Sequence, residues 1–471
     1  MCISVTNMPR KIAIAILAGL TAACTVGPKY VKPVVPVPAA YKEMGDGWTA
    51  AQPKDDIDRG RWWELYQDAR LNTLETQLNI SNQNIAAAAA NVQAAQALIR
   101  ASRAQYFPSL TVNPGITNSR ISTAFGKSVG TTFNTYQLPL TATWEPDLFG
   151  RVKNSVKANT FAAQVSAADL ENVRLSAQAD LAAYYYQLRA EDALKQLLDA
   201  TVNSYQEALD LTRNLSKAGL DSDEAVAQAE TQLKAAQAQD TSLATLRAQY
   251  EHAIAVLAGQ PASEFSISPA VFEGRPPAIP AAVPSSLLER RPDIAAAERA
   301  VAQANAQIGV AKAAFFPNLI LTATGGLENT TIGNWLTWPG RVWSLGPSLA
   351  ETIFEGGARK ATVQQFQAAY DQTAANYRQT VLTSFQQVED NLAALRVLSQ
   401  VIEQQEGAIQ SSRRSLEEAN TRYIAGLDPY LNVIAAETAL LANQQSQITF
   451  REQQMVASVQ LIKALGGPPA K

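Results

Sequence analysis

The sequence repeats itself at a long period, and this duplication constrains the fold more than any other feature. The tetrapeptide AGLD at positions 218–221 returns at positions 425–428. Each copy has the same order of segments: a helix rich in Ala and Gln, a Phe-Pro break, two β-like stretches around a polar loop, and two long helices. This period is far longer than the ~20–50 residues of solenoid repeats. The sequence therefore predicts a duplicated domain, folded as two similar halves of one body.

The composition argues against catalysis and against nucleic acid as a partner. The chain of 471 residues has one histidine, His252, which cannot by itself supply a histidine-based triad or metal site. Charged residues make up 17% of the chain, the net charge is −3, and no basic stripe is present. We therefore expect a protein that is not an enzyme, binds no cofactor or metal, and does not bind nucleic acid.

The amino terminus has the pattern of a lipoprotein signal peptide, predicted at residues 1–23. Two basic residues precede an apolar run at 12–20, which is too short to span a bilayer. Small residues then lead to Cys24, which we expect to carry lipid, palmitate included. An ordinary signal peptide with a coincidental cysteine is the alternative, because Thr21 occupies the position where lipoproteins usually have leucine.

The remainder of the chain divides by its proline content and by the repeat. Spaced prolines make residues 24–60 an extended, semi-rigid tether. The first repeat is predicted at 61–260 and the second at 286–467, joined by a proline-rich linker at 261–285. Residues 468–471 form a short tail.

Four short stretches have the alternation of membrane strands. From Tyr136 to Trp144, apolar and aromatic side chains alternate with polar ones, and aromatic residues lie at both ends. The stretches at 110–116, 319–323 and 343–349 show weaker versions of this pattern. Soluble hairpins are the alternative, but the duplication and the aromatic ends favour membrane strands.

The sequence also predicts unusually long helices. A first helix is expected from Trp62 to about Tyr106, followed by a break at a proline. Residues 151–217 contain no glycine or proline, and residues 358–423 contain only one glycine. In the second of these stretches, apolar residues recur about every 3.5 positions, which is typical of a helix that packs alongside others. Each long helix then ends at an AGLD tetrapeptide, whose glycine suits a helix C-cap, so a helical hairpin is expected there.

The number of strands has a consequence for assembly. Bacterial membrane barrels have at least about eight strands, and open strand edges are not tolerated in lipid. If the four stretches span a membrane, each chain must contribute a sector of a shared barrel. The following helices would then continue the wall of this barrel out of the membrane. The predicted fold class is therefore mostly α with a small membrane β section.

These features resemble the TolC-type outer-membrane efflux channels, specifically their NodT-like lipoprotein branch. The resemblance rests on Cys24 with VGP at 26–28, on WEPDLFGR at 144–151, on LLERRPDI at 287–294, and on the two AGL hairpins. It implies a homotrimer with a twelve-strand barrel in the outer-membrane lipid, continuous with a twelve-helix barrel in the periplasm. It further implies an equatorial belt formed by the chain ends and the linker.

The same resemblance implies the function and the partners. A channel of this family docks to a periplasmic adaptor protein and, through it, to an inner-membrane efflux pump. It passively exports drugs, toxins or other small molecules. A different class of function also fits the long hairpins, namely a lipid-anchored periplasmic adaptor or scaffold. The strands with aromatic ends favour the duct, because an adaptor needs no membrane barrel.

The resemblance implies a gate at the hairpin tips. Leu431 occupies the apolar constriction, whereas the aspartate positions of the family are Ala225 and Ala435 here. Acidic residues lie nearer the tips instead, and we expect them to belong to the gate and to favour cations. Alternatively, they merely stabilise helix N-termini. These residues are Asp221, Asp223, Glu224 and Asp428.

The resemblance also implies adaptor docking at the AGL tips. Any helical hairpin needs a glycine turn, which accounts for Gly219 and Gly426 without a docking role. It does not account for Leu220 and Leu427, which are apolar and have no obvious core to enter. We expect these leucines, on their glycine turns, to contact the hairpins of the adaptor.

The lipid anchor generates the first testable prediction. Replacing Cys24 with serine should abolish incorporation of labelled fatty acid, because the lipidated thiol is lost, whereas trimers should still insert through their barrel. Metabolic labelling followed by gel analysis of outer-membrane trimers measures both effects. Absence of label from the unaltered protein would contradict the lipoprotein assignment.

Overall fold

A computed structural model describes residues 26–38, 40–43, 60–120, 122, 130, 132–272, 275–277, 279 and 290–467. The leader with Cys24, the tail at 468–471, and parts of the linker and of the loop at 118–134 lie outside the described residues. The chain divides into two compact units, and each unit draws on both sequence repeats. Unit 1 comprises Met1–Val34, Asn91–Ser166 and Ala296–Tyr377; unit 2 comprises Val35–Ala90, Ala167–Ala295 and Arg378–Lys471.

The described residues form long helices and one antiparallel sheet. The helices are α1 (Ala69–Ser81), α2 (Gln83–Ala104), α3 (Arg151–Lys217), α4 (Asp223–Leu257), α5 (Pro292–Ala313), α6 (Ala358–Ile424) and α7 (Tyr430–Ala464). The strands are β1 (Ser109–Val112), β2 (Gly115–Arg120), β3 (Thr132–Trp144), β4 (Asn318–Asn329) and β5 (Arg341–Ala350). No described helix is long and apolar enough to cross a membrane.

Corresponding helices of the two repeats have equal lengths and begin at equivalent positions. Helices α3 and α6 have 67 residues each, and α4 and α7 have 35 residues each. Both pairs begin 207 positions apart, as the AGLD tetrapeptides do. Gly407 lies inside α6 without interrupting it. The predicted long helices and the duplicated halves are therefore confirmed.

The predicted single helix from Trp62 to Tyr106 is wrong. A short 3-10 helix covers Trp62–Tyr66, and the α-helical part is divided at Asn82 between α1 and α2. The Asn82 side chain accepts hydrogen bonds from two backbone amides at the start of α2 and donates one to the carbonyl of Leu257, 2.9 Å away. A side-chain cap of this kind starts a new helix without proline or glycine.

The core of unit 2 surrounds the 3-10 helix. Trp62 is buried, and its indole Nε1 donates to Oε1 of Gln178 at 3.2 Å. The Tyr185 hydroxyl donates to the carboxylate of Asp68, which also caps α1. Arg291 donates to the carbonyl of Ala464, which joins the start of the second repeat to the end of its last helix.

The first amino-terminal residues of the described chain bind to helices of unit 1. The amide of Val26 donates to the carbonyl of Phe149, and Nδ2 of Asn154 in α3 donates to the carbonyl of Val26. A few residues on, the Tyr30 hydroxyl donates to the carboxylate of Glu298 in α5. The segment that follows Cys24 in sequence is thus fixed by both repeats.

The sheet has the order β1-β3-β4-β5, with β2 also paired to β3. Strands β1 and β2 lie end to end along β3, so they occupy one strand position although the sequence predicted one continuous strand. Pro114 separates them, because proline has no amide hydrogen for the ladder. The four predicted strand positions are therefore present, with one of them broken.

Candidate functional site: sheet faces and hairpin tips

The strand register collects apolar residues on one face of the sheet. Residues directly opposite each other in antiparallel strands share a face. One row across all four strand positions is Leu110, Ala142, Ala323 and Leu345, and the next is Val112, Leu140, Gly325 and Trp343. Leu110, Leu345 and Trp343 are among the most exposed large apolar side chains. A face of this kind is suited to lipid.

The opposite face carries hydroxyl groups. Between the two apolar rows in sequence lies the row Thr111, Thr141, Thr324 and Ser344. The hydroxyls of Thr141 and Thr324 are 3.2 Å apart and hydrogen-bonded. The sheet is therefore apolar on one side and polar on the other, as the alternation in the sequence predicted.

Both hairpin tips end in the same backbone turn. Gly219 and Gly426 have φ values of +72° and +71°, a conformation that glycine adopts without a steric penalty. The amide of Leu220 donates to the carbonyl of Leu215, and the amide of Leu427 donates to that of Arg422, each at 2.9 Å. These bonds define a Schellman motif, which terminates α3 and α6.

Behind these turns, four helices of unit 2 enclose an apolar cluster, here called the tip core. Helices α3, α4, α6 and α7 all contribute to it. Its buried members are Tyr205, Leu209, Ala225, Ala229, Leu233, Ala236, Tyr423, Tyr430 and Val433. Both hairpins of one chain thus share one core, and moving one hairpin away from the other would expose it.

Two polar contacts join the hairpins beside the tip core. The Tyr423 hydroxyl on α6 donates to Oδ2 of Asp221, which lies in the tip of the other hairpin. Further along, the Gln232 amide on α4 hydrogen-bonds to Thr438 on α7 at 3.0 Å. Burial, together with the bond to Asp221, raises the pKa of Tyr423 to about 12, so its hydroxyl remains a donor at neutral pH.

Asp428, one of the acids expected at the gate, is paired with a cation. Two nitrogens of the Arg422 guanidinium lie 2.6 and 3.1 Å from its carboxylate oxygens. These bonds hold the pKa of Asp428 below its usual range. The pair is exposed, so it orients the turn and neutralises one of the tip acids rather than adding much stability.

The two acids at the start of α4 also have local partners. Asp223 accepts a hydrogen bond from the Ser216 hydroxyl at 3.0 Å, and Glu224 accepts one from the Gln228 amide at 3.2 Å. The N-cap of α4 is Ser222, and both acids lie in its first turn, where negative charge is favourable. These contacts match the alternative in which the acids stabilise the helix start.

The three tip leucines are exposed in the chain. Leu220 is 76%, Leu427 68% and Leu431 55% accessible, so none of them belongs to the tip core. Leu220 and Leu427 were expected to lack a core, and the geometry agrees. Leu431 was expected at a constriction of the channel. In the single chain its side chain is exposed and forms no constriction.

Two residues of this site were not identified from the sequence. Tyr423 was overlooked because its partner, Asp221, lies 202 positions away. Glu437 was overlooked because nothing local in the sequence indicates that its carboxyl is buried beside the tip core. A comparison of the two repeats could have drawn attention to Tyr423, because the equivalent position in the first repeat is Ser216.

Comparison with known proteins agrees with this architecture. The family model described as outer membrane efflux protein matches residues 74–260 and 283–467. The probable efflux pump outer membrane protein TtgC of Pseudomonas putida is 30% identical over 461 residues, covering 97% of this chain and 95% of that protein. The cation efflux system protein CusC of Escherichia coli is 27% identical over 448 residues, covering 94% and 95%.

A solved structure extends the likeness to the fold. The outer-membrane channel OprN superimposes with a TM-score of 0.86 at 28% identity, covering 94% of this chain and 99% of that one. These relatives confirm the fold class, the outer-membrane location and the exit-duct function expected from the sequence. The chain therefore belongs to the outer membrane efflux protein family.

Proposed function

We propose that this chain forms a homotrimeric, passive exit duct that docks through its hairpin tips to a periplasmic adaptor and, through it, to an inner-membrane pump. One observation carries this proposal: the sheet has an apolar and a polar face but ends in two strand edges without partners among the described residues. Such a sheet is a sector of a barrel rather than a closed one.

The two unpaired strand edges of the sheet support the proposal of a trimer. Strand β5 pairs only with β4, and β1 and β2 pair only with β3, within the described part of the chain. Backbone groups at these edges need partners in lipid, and β5 of one copy can pair with β1 and β2 of the next. Three copies of four strand positions give twelve strands, within the range of bacterial barrels. The hydroxyl-bearing face would then line the lumen.

Several finer assignments accompany the duct. We retain lipidation of Cys24 and the NodT-like branch, supported by the fixed segment after Val26. We also retain the division into repeats at 61–260 and 286–467, joined by the linker at 261–285. The hydroxyl groups on the polar face offer hydrogen bonds to solutes, which supports passive conduction of drugs, toxins or other small molecules. The lipid-anchored adaptor or scaffold is not retained, since the chain is an outer-membrane exit duct.

We assign closure of the duct to the tips. The tip core and the bond from Tyr423 to Asp221 hold the two hairpins of each chain together. In the trimer, three copies of Leu431 would meet near the axis, and that meeting would account for an exposed leucine in the single chain. Asp221, Asp223, Glu224 and Asp428 would surround this opening, with Asp428 compensated by Arg422.

The hydrogen bond between the hairpins can be tested by removing one atom. Tyr423→Phe keeps the ring in the tip core but leaves Oδ2 of Asp221 without its donor, a loss of about 1.5–3 kcal/mol for a charged acceptor. We expect an open probability in planar bilayers at least about tenfold higher. Tyr250→Phe, on α4 away from the tips, is the control and should conduct like the unaltered protein. Equal conductance of both variants would remove this bond from closure.

The constriction has a separate test. Leu431→Ala should raise single-channel conductance, because three leucine side chains would leave the narrowest point, while trimer melting should barely change since Leu431 is outside the tip core. Leu246→Ala, a similarly exposed leucine on α4, is the control. If neutralising the four tip acids opens the channel and Leu431→Ala does not, closure is electrostatic instead.

Adaptor docking is tested at the exposed tips. Leu220→Asp and Leu427→Asp should each reduce crosslinking to the adaptor about tenfold or more, because burying an apolar leucine contributes about 1.5–3 kcal/mol. Cells should become sensitive to exported compounds at normal trimer yield. Leu246→Asp serves as the control for an added surface charge. Normal efflux with both tip leucines replaced would exclude them from the interface.

A further inference from the structure

Glu437 is a buried carboxyl at the edge of the tip core. It lies on α7, one helical turn beyond Val433, which is a member of that core. Glu437 is only 9% exposed, and its Oε2 atom has no hydrogen-bond partner among the described residues. An ionised carboxylate without a partner is unfavourable in such a place, whereas a protonated one is tolerated.

The groups around Glu437 do not supply a compensating cation. Tyr205 faces it from α3, and Tyr430 faces it from α7 itself. On α4, Gln232 bonds to the Tyr205 hydroxyl and to Thr438. On α6, the Tyr423 hydroxyl is bound to Asp221. In this stretch of α6, Arg413, Arg414, Glu417 and Glu418 are exposed, and Arg422 is paired with Asp428 in the turn that follows.

The first repeat provides an internal comparison. Glu230, 207 positions before Glu437, is paired with Arg213, whose guanidinium nitrogen lies 2.5 Å from the carboxylate. The position in α6 that corresponds to Arg213 is Asn420. The second hairpin therefore keeps the acid but has an uncharged amide at the position of its cation.

The burial of Glu437 determines how packing of the hairpins depends on pH. Burial raises the pKa of the Glu437 carboxyl from 4.5 to about 7. If the hairpins separate, water reaches the group and its pKa returns toward 4.5, so packing of the hairpins takes up a proton. The packed state is then fully favoured below pH 4.5, loses stability as pH rises toward about 7, and changes little above that. The ratio of packed to separated hairpins changes at most about tenfold per pH unit in each chain.

We propose that packing of the two hairpins within one chain is coupled to protonation of Glu437, so that acid holds the tip together and loss of this proton loosens it. This coupling between protonation and packing goes beyond the exit-duct function and concerns contacts inside one chain. It depends neither on Leu431 as the constriction nor on adaptor docking.

The experiment measures hairpin separation directly, without relying on conduction. Spin labels are placed at Leu220→Cys and Leu427→Cys in the full chain, with Cys24→Ser in every variant, and labelled chains are assembled with an excess of unlabelled ones. Distance distributions are recorded from about pH 5 to about pH 8. The short-distance population should fall as pH rises.

Three variants decide the outcome. Glu437→Gln, which cannot ionise, should keep the short distance at every pH. Asn420→Arg, which supplies the missing cation, should also remove the pH dependence while keeping the hairpins packed, and it covers the case in which Glu437→Gln fails to assemble. Glu230→Gln should behave like the unaltered protein. A pH-independent distance in the unaltered protein, or a pH response that persists in Glu437→Gln, would overturn the proposal.

Discussion

Backbone hydrogen bonding in lipid is the constraint on which the other features of the sheet depend. A bilayer offers no water to unpaired amide and carbonyl groups, so a strand edge within it must meet another strand. Among the described residues the sheet has two such edges, and its strands alternate between apolar and hydroxyl-bearing rows. Neither feature is useful to one chain alone. The proposed pairing of strands between copies follows from this requirement.

The sequence predicted those features that are encoded locally. Long stretches without glycine or proline gave the bounds of α3 and α6 within a residue or two, and the glycine turns at Gly219 and Gly426 were identified from their tetrapeptides. The break at Asn82 escaped prediction because a side-chain cap replaces the usual proline or glycine signal. The bond from Tyr423 to Asp221 escaped because it depends on how two hairpins pack. The roles of the tip leucines and acids stay predictions.

Duplication has preserved the backbone while the side-chain chemistry has diverged. Both hairpins have equal helix lengths and the same Schellman turn. The first hairpin pairs Arg213 with Glu230, whereas the second has Asn420 with a buried Glu437. The two hairpins thus share one core but place different polar groups around it.

The row of hydroxyls from Thr111 to Ser344 has a consequence for throughput. A hydroxyl can both donate and accept hydrogen bonds and rotates to suit either, so anions, cations and neutral solutes all find equivalent hydration along it. The row itself carries no charge, although Glu328 lies further along the same face. In the proposed duct, such a row would offer little resistance that depends on the charge of the solute, and any selection by sign would come from other residues.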